Sequence, residues 1–103
     1  MISADDAVKL EALHPTEPSL VSPTTGRAWE LVKSTIEETF PGTIVTPYVM
    51  LGGSDSRHFT RISNSVYRFS PFEMSAQERG TLHAKNERIR VATFVKGVGF
   101  YTR

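Results

Sequence analysis

The fold of this chain is constrained most by two adjacent segments. The first has the apolar periodicity of a helix, and the second is rich in apolar, β-branched residues. Over residues 24–40 (TTGRAWELVKSTIEETF), apolar residues repeat at the spacing of one helical face: Ala28, Leu31, Val32, Ile36 and Phe40. We expect Thr24 or Thr25 to cap this helix and Pro41-Gly42 to end it. Residues 43–51 (TIVTPYVML) are apolar nearly throughout, which is typical of a strand covered on both faces of an α/β sheet. Pro47 removes one ladder donor, so an edge or irregular position stays open.

The segments before this helix are less regular. In residues 5–13 (DDAVKLEAL), apolar and polar side chains alternate as in a strand with one solvent-exposed face, but the segment could equally begin a short helix. Residues 14–23 hold three prolines and are predicted to be an extended connector, with His14 solvated. The chain contains no internal repeat.

The second half of the chain predicts a turn and a short helix over residues 52–62, one more strand and a C-terminal helix. Residues 65–69 (SVYRF) predict a short strand, and residues 70–88 predict a long loop of the kind that is often functional. Residues 91–103 predict a helix whose glycines, Gly97 and Gly99, weaken it but allow close packing. Its buried side is predicted to carry Val91, Phe94, Val95, Val98 and Tyr101 or Thr102.

Length and charge narrow the classes of function. The 103 residues make one domain or part of one and leave little chain to enclose an enzyme's pocket. Cysteine is absent, so disulfides and thiol catalysis are excluded. A formal net charge of +1 with no basic stretch gives no electrostatic support for nucleic-acid binding. No apolar run is long enough to span a membrane.

The first concentration of reactive groups is the segment Gly52-Gly53-Ser54-Asp55-Ser56-Arg57-His58, directly after an apolar strand. Glycines allow a sharp turn and close approach to a ligand. Ser54 could add a hydroxyl, and Arg57 a forked cation for a carboxylate. The alternative is a plain strand-to-helix turn with Asp55 as cap and Arg57 on the surface. Short glycine motifs often arise without function.

The second concentration is LHAKNER, residues 82–88, at the end of the predicted loop. Neutral imidazole binds zinc well, but a metal site needs three or four converging ligands, and no HxH or HExxH pair occurs. A surface histidine beside a helix cap is the alternative for His83. A Ser54-His83-Asp55 triad carries little weight, because GGSDS does not have the form of a nucleophile elbow.

Taken together, these motifs resemble a known family. SPTTGRAWELVKSTIEETFPGTIVTPYVMLGGSDSRHF, ISNSVYRFSPF and LHAKNERI occur in an order and spacing similar to the C-terminal part of the glutamate carboxypeptidase, acetylornithine deacetylase and aminoacylase family of zinc metallopeptidases. The Gly-Xaa carboxypeptidase branch, with its N-acyl amino acid hydrolases, is the most similar. The resemblance covers about residues 18–103.

The resemblance implies a fold and a domain organisation. Such enzymes have an α/β catalytic domain, interrupted by a lid domain that often dimerises. Residues 1–22 would then be the end of a lid strand and its connector, and residues 23–103 the C-terminal part of the catalytic domain. The implied fold class is α/β, a partial three-layer sheet with two main helices.

The resemblance also implies site residues. His83 matches the family's late zinc ligand, in a centre that holds two zinc ions in the intact protein. Gly53 and Ser54 match the glycine loop that contacts the substrate carboxylate, and Arg57 belongs to the same motif in a substrate-binding or structural role. The family commonly has threonine where this chain has Ser54, which keeps the hydroxyl.

Most of the family's catalytic set has no counterpart here. No HxD occurs, and Glu37-Glu38 is predicted to face solvent on the first helix, unlike the family's catalytic pair. We therefore expect zinc to bind weakly or not at all, and the chain alone to be inactive. The intact parent would hydrolyse a peptide or N-acyl amino acid.

The alternative is a small non-enzymatic protein that acts through assembly. Missing sheet partners would leave apolar surface exposed, so we expect a homo-oligomer, with neither nucleic acid nor a membrane as partner. The compartment is left open, with the cytoplasm favoured.

Overall fold

The computed structural model describes residues 11, 13 and 15–103 and contains four helices in that part of the chain. They are α1 (Arg27–Thr39), α2 (Ser56–Phe59), α3 (Ala76–Arg79) and α4 (Val91–Tyr101). Most of the ambiguous segment over residues 5–13, and His14, lie outside the described residues. No helix in the described ranges combines the length and hydropathy that a membrane span needs.

The first helix forms over the predicted segment, but Leu31 on its predicted apolar face is 63% exposed and its start differs from the prediction. Ile36 and Phe40, both on the predicted apolar face, are buried. The N-cap is Gly26, with φ of 87° and no side-chain cap hydrogen bond, so neither Thr24 nor Thr25 caps the helix. Glycine adopts this left-handed conformation at no steric cost, which explains the position of the helix start.

An aromatic cluster joins the end of α1 to α4. The Phe40 ring lies edge-on to Phe69 at 6.4 Å, and Phe69 lies 5.2 Å from Phe100. Phe72 stacks on Phe94 at 6.3 Å. These contacts bring residues 69–72, which follow the second predicted strand, against the last helix.

The buried side of α4 differs from the prediction. Thr93 and Gly97 are its buried residues, while the predicted apolar stripe stays exposed: Val91 78%, Phe94 50%, Val95 62%, Val98 46% and Tyr101 65%. The Phe72 ring packs against Gly97 so closely that an added β-carbon would lie 2.2 Å from Cε1. The predicted role of Gly97 in close packing is therefore confirmed, whereas Gly99 has open space around it.

The connector packs against the second predicted strand. The Ser22 hydroxyl donates to the carbonyl oxygen of Val66 at 2.9 Å and accepts from the Val66 N–H at 2.8 Å. The Tyr67 hydroxyl donates to the carbonyl oxygen of Pro23 at 2.7 Å. The Trp29 ring lies 5.8 Å from the Tyr67 ring, so the start of α1 is held to the same segment.

The two predicted strands form no strand ladder within the described residues. A strand is defined by hydrogen bonds to a neighbour, and neither residues 43–51 nor residues 65–69 have such a neighbour in the described part. The three-layer sheet therefore stays a prediction.

The predicted loop over residues 70–88 contains a short helix, α3. A reciprocal capping box begins it, since the Ser75 hydroxyl accepts from the Glu78 N–H at 3.2 Å and Glu78 Oε2 accepts from the Ser75 N–H at 2.7 Å. Arg90 Nε donates to Glu78 Oε1 at 2.8 Å. The pKa of the Glu78 carboxyl is lowered below its ordinary value. The hydrogen bond from the Ser75 N–H contributes most, followed by the Ser75 hydroxyl and then by Arg90. This network ties α3 to the residue before α4.

Candidate functional site

An open groove of about 380 Å³ lies between the glycine segment and the second predicted strand. Residues 50, 52–54, 56 and 67–70 line it. The groove brings together two of the sequence-predicted substrate contacts, Gly53 and Ser54.

The glycines of the groove have no left-handed backbone to explain them. Positive φ among the described glycines occurs at Gly26 and Gly42, and a β-carbon at Gly53 would meet nothing within 4 Å. The predicted sharp turn is therefore not the reason for glycine here. A β-carbon at Gly53 would occupy open space in the groove. Because glycine has none, the backbone there stays accessible to a ligand.

The hydroxyls of this segment form a chain. Ser54 Oγ and Ser56 Oγ lie 2.6 Å apart and share a hydrogen bond. Ser56 Oγ also accepts from Arg68 Nε, and Arg68 Nη2 donates to Ser19 Oγ at 3.1 Å. Two hydroxyls from distant parts of the chain thus hold the Arg68 guanidinium at the groove.

Arg57 does not line this groove. Its Nη1 donates to Thr16 Oγ1 at 3.3 Å, and it lies with Glu17 and His58 at a smaller cavity of about 130 Å³. The Arg57 backbone N–H donates to the Ser54 carbonyl oxygen at 3.2 Å, but its side chain lies at the smaller cavity, and Arg68 lines the groove with Gly53 and Ser54. Local sequence spacing gives no signal for Arg68, because its partners are 12 and 49 residues away.

His83 lies in a tight turn and is exposed. The Ala84 N–H donates to the Thr81 carbonyl oxygen at 3.0 Å, so His83 is the third residue of a four-residue turn. Its φ of 60° is the left-handed value that type II turns require at this position, where glycine is usual. Among the described residues, His83 alone carries a β-carbon and a positive φ.

Replacing His83 with glycine should raise the free energy of unfolding by roughly 0.5–1 kcal/mol. Relief of left-handed strain of about 1–2 kcal/mol outweighs the roughly 0.5–1 kcal/mol entropic cost of glycine. Urea unfolding followed by Trp29 fluorescence measures the change. The control, Leu82→Gly, lies in the same turn without a positive φ and should lose stability. Equal losses in both variants would show that His83 is not strained.

The described residues do not assemble a metal centre by themselves. No group of three or more His, Asp or Glu side chains with metal-binding geometry occurs in the described part of the chain. The residues present therefore do not fit a complete zinc site, and His83 stands as a single candidate ligand.

Comparisons with known proteins point to one family. The probable carboxypeptidase S-like 2 of Dictyostelium discoideum is 33% identical over 98 residues, covering 94% of this chain and 19% of that protein. The N-fatty-acyl-amino acid synthase/hydrolase of Mus musculus is 35% identical over 100 residues, covering 94% and 20%. The Xenopus tropicalis protein of the same name is 37% identical over 98 residues, covering 94% and 19%.

The chain spans about a fifth of the length of these curated relatives. No solved structure gives a significant match. The match to the family extends over residues 6–103, nearly the whole chain, and includes the groove and the His83 turn. The chain therefore belongs to Peptidase family M20/M25/M40.

Proposed function

We propose that this chain is part of a zinc-dependent peptidase or amidohydrolase that cleaves an amide next to a free carboxylate. Family membership and relatives named carboxypeptidase and N-fatty-acyl-amino acid synthase/hydrolase support the reaction class. A carboxypeptidase substrate and an N-acyl amino acid share one feature, a carboxylate one carbon from the amide nitrogen.

The groove is the observation that carries this proposal. Its lining combines the backbone of Gly52 and Gly53 with Ser54 and Arg68, which are linked through Ser56. Backbone N–H groups, a hydroxyl and a guanidinium are all hydrogen-bond donors, and a carboxylate accepts from each of them. Gly53 and Ser54 are therefore proposed to contact the substrate carboxylate, while Arg57 is proposed to hold the connector.

His83 is proposed to contribute one ligand to a zinc centre completed by residues outside this chain. Peptidases of this family are generally metal-dependent. Bound zinc would polarise the scissile carbonyl and lower the pKa of a bound water. The strained backbone at His83 supports a functional role, because such conformations persist where the surrounding structure over-determines them.

The chain by itself is expected to be catalytically inactive. It has no HxD motif and no candidate general base in the groove. Purified chain, supplied with zinc and an N-acyl amino acid, should release amine no faster than zinc alone. The matched control is His83→Ala, which should leave this background rate unchanged. Hydrolysis that depends on His83 would contradict the expected inactivity.

The gene region upstream of Met1 offers a separate test. An in-frame sequence with an HxD pair, a Glu-Glu pair and a lid domain should precede this chain if it is part of a larger peptidase. Its two predicted strands, residues 43–51 and 65–69, would then join the sheet of that domain. An upstream sequence without those motifs would favour a protein that acts without catalysis.

A second candidate function, assembly, is favoured by the exposed apolar surface. Large apolar side chains stay exposed on α4 and on the first predicted strand, among them Val91 at 78%, Val95 at 62% and Ile44 at 88%. Contiguous apolar surface of this kind commonly marks a site of association. We expect a dimer or higher oligomer by light scattering at micromolar concentration, with dissociation on dilution. A monomer throughout that range would count against assembly.

A further inference from the structure

We propose that Arg68, rather than Arg57, is the cation that recognises the substrate carboxylate. This inference rests on the proposed function and adds to it a specificity-determining residue. The two arginines are 11 positions apart in sequence, but only Arg68 lines the groove that contains Gly53 and Ser54.

The charge of Arg68 is not neutralised within the described structure. The three ion pairs in that part of the chain join Arg90 to Glu78, Lys96 to Glu73 and Arg103 to Glu38. The residues that line the groove include no aspartate or glutamate. The partners of Arg68 are two neutral hydroxyls, Ser19 and Ser56, so its positive charge is left for a ligand.

The two hydroxyls also fix the orientation of the guanidinium. An arginine has five N–H donors in one plane. Ser56 takes the one on Nε and Ser19 takes one on Nη2, which leaves three for a ligand. Because the side chain is part-buried and held at two points, little entropy remains to be lost when a carboxylate binds.

Apolar groups beside Arg68 indicate which carboxylates fit. Met50 and Phe69 line the same groove and are 49% and 40% exposed, so a ligand can still cover them. When a carboxylate binds Arg68, the ligand group next to that carboxylate would therefore lie against the apolar side chains of Met50 and Phe69. The chemistry points to an amino-acid carboxylate with an apolar side chain or acyl group.

The test compares binding of N-acetylphenylalanine with binding of its carboxamide, which lacks the charge. The isotope-labelled 103-residue chain is titrated with each compound, and NMR shifts of the Gly52 and Gly53 amides and of Arg68 Nε–H are followed. Wild-type chain should respond to the carboxylate and not to the carboxamide. Arg68→Gln should weaken carboxylate binding about tenfold or more, because hydrogen bonds to charged groups contribute about 1.5–3 kcal/mol. The matched control, Arg57→Gln, should bind like the wild type.

The Arg68→Lys variant keeps the positive charge and most of the aliphatic side chain. It replaces Arg68→Gln in the test if Trp29 fluorescence shows that Arg68→Gln does not fold. Lysine lacks the planar fork, so it too should bind several-fold more weakly. Unchanged binding in the Arg68 variants, with loss in Arg57→Gln, would overturn the assignment and leave the proposed function intact. If wild-type chain responds to neither compound, or equally to both, the carboxylate-binding role proposed for this chain fails as well.

Discussion

Replacing Phe40 with alanine should lower the free energy of unfolding by about 3–5 kcal/mol, the usual cost of truncating a buried phenylalanine. Phe40 is 8% exposed and is one of two buried hydrophobic residues in the described part of the chain. Its ring meets Phe69 edge-on, and Lys96 Nζ lies 4.1 Å from its centroid. Truncation would remove both interactions and open a cavity between α1 and α4. Since small domains are stable by only about 5–15 kcal/mol, this loss is a large fraction of the total.

Urea unfolding of the Phe40→Ala variant, at fixed protein concentration, measures the effect through Trp29 fluorescence and helical circular dichroism. Phe59→Ala is the matched control, because Phe59 is 57% exposed and should cost about 1 kcal/mol or less. Similar losses in the two variants would contradict the central position of Phe40. They would also show that the aromatic cluster does not hold the helices together in solution.

Replacing Gly97 with alanine should destabilise the chain by up to about 2 kcal/mol, although helix propensity predicts the opposite sign. Alanine favours a helix interior over glycine by about 1 kcal/mol. At Gly97, however, the new β-carbon would lie 2.2 Å from Cε1 and 2.6 Å from Cδ1 of Phe72. The ring is packed against Phe94 and Tyr101, so it cannot move without losing those contacts. Overpacking of this kind costs more than the propensity returns.

Gly99→Ala is the control within the same helix. A β-carbon there meets nothing within 4 Å, so the substitution should stabilise α4 by up to about 1 kcal/mol. Thermal unfolding should therefore shift in opposite directions for the two variants. A shift in the same direction would mean that the contact between Phe72 and Gly97 is absent in solution.

Local sequence patterns predicted the two long helices well but missed α3, which lies in the segment predicted to be a loop. The spacing of Ile36 and Phe40 sufficed for α1, and the apolar run over residues 91–101 sufficed for α4, because helical hydrogen bonds form within one segment. Local patterns were less successful at the helix ends and faces. Gly26 replaced the expected threonine cap, and Gly97 rather than Val95 faces the packed side of α4.

GGSDSRHF and HAKNERI, in that order, resemble motifs of the peptidase family, and the family match over residues 6–103 confirms this resemblance. The resemblance also placed Gly53, Ser54 and His83 as candidates. The distinction between Arg57 and Arg68 required tertiary structure. Arg57 lies between Ser56 and His58, and Arg68 between Tyr67 and Phe69. Only the packing of residues 19–23 against residues 66–67 brings Ser19 to Arg68.

The sequence by itself thus determined the two long helices, the family and the types of side chain available for chemistry, since these depend on local spacing and residue identity. Tertiary structure alone decided which face of α4 is packed and which arginine lies at the groove. The physical reason is that a ring against a glycine, or a guanidinium between two serines, depends on contacts between residues tens of positions apart. No local periodicity encodes such contacts.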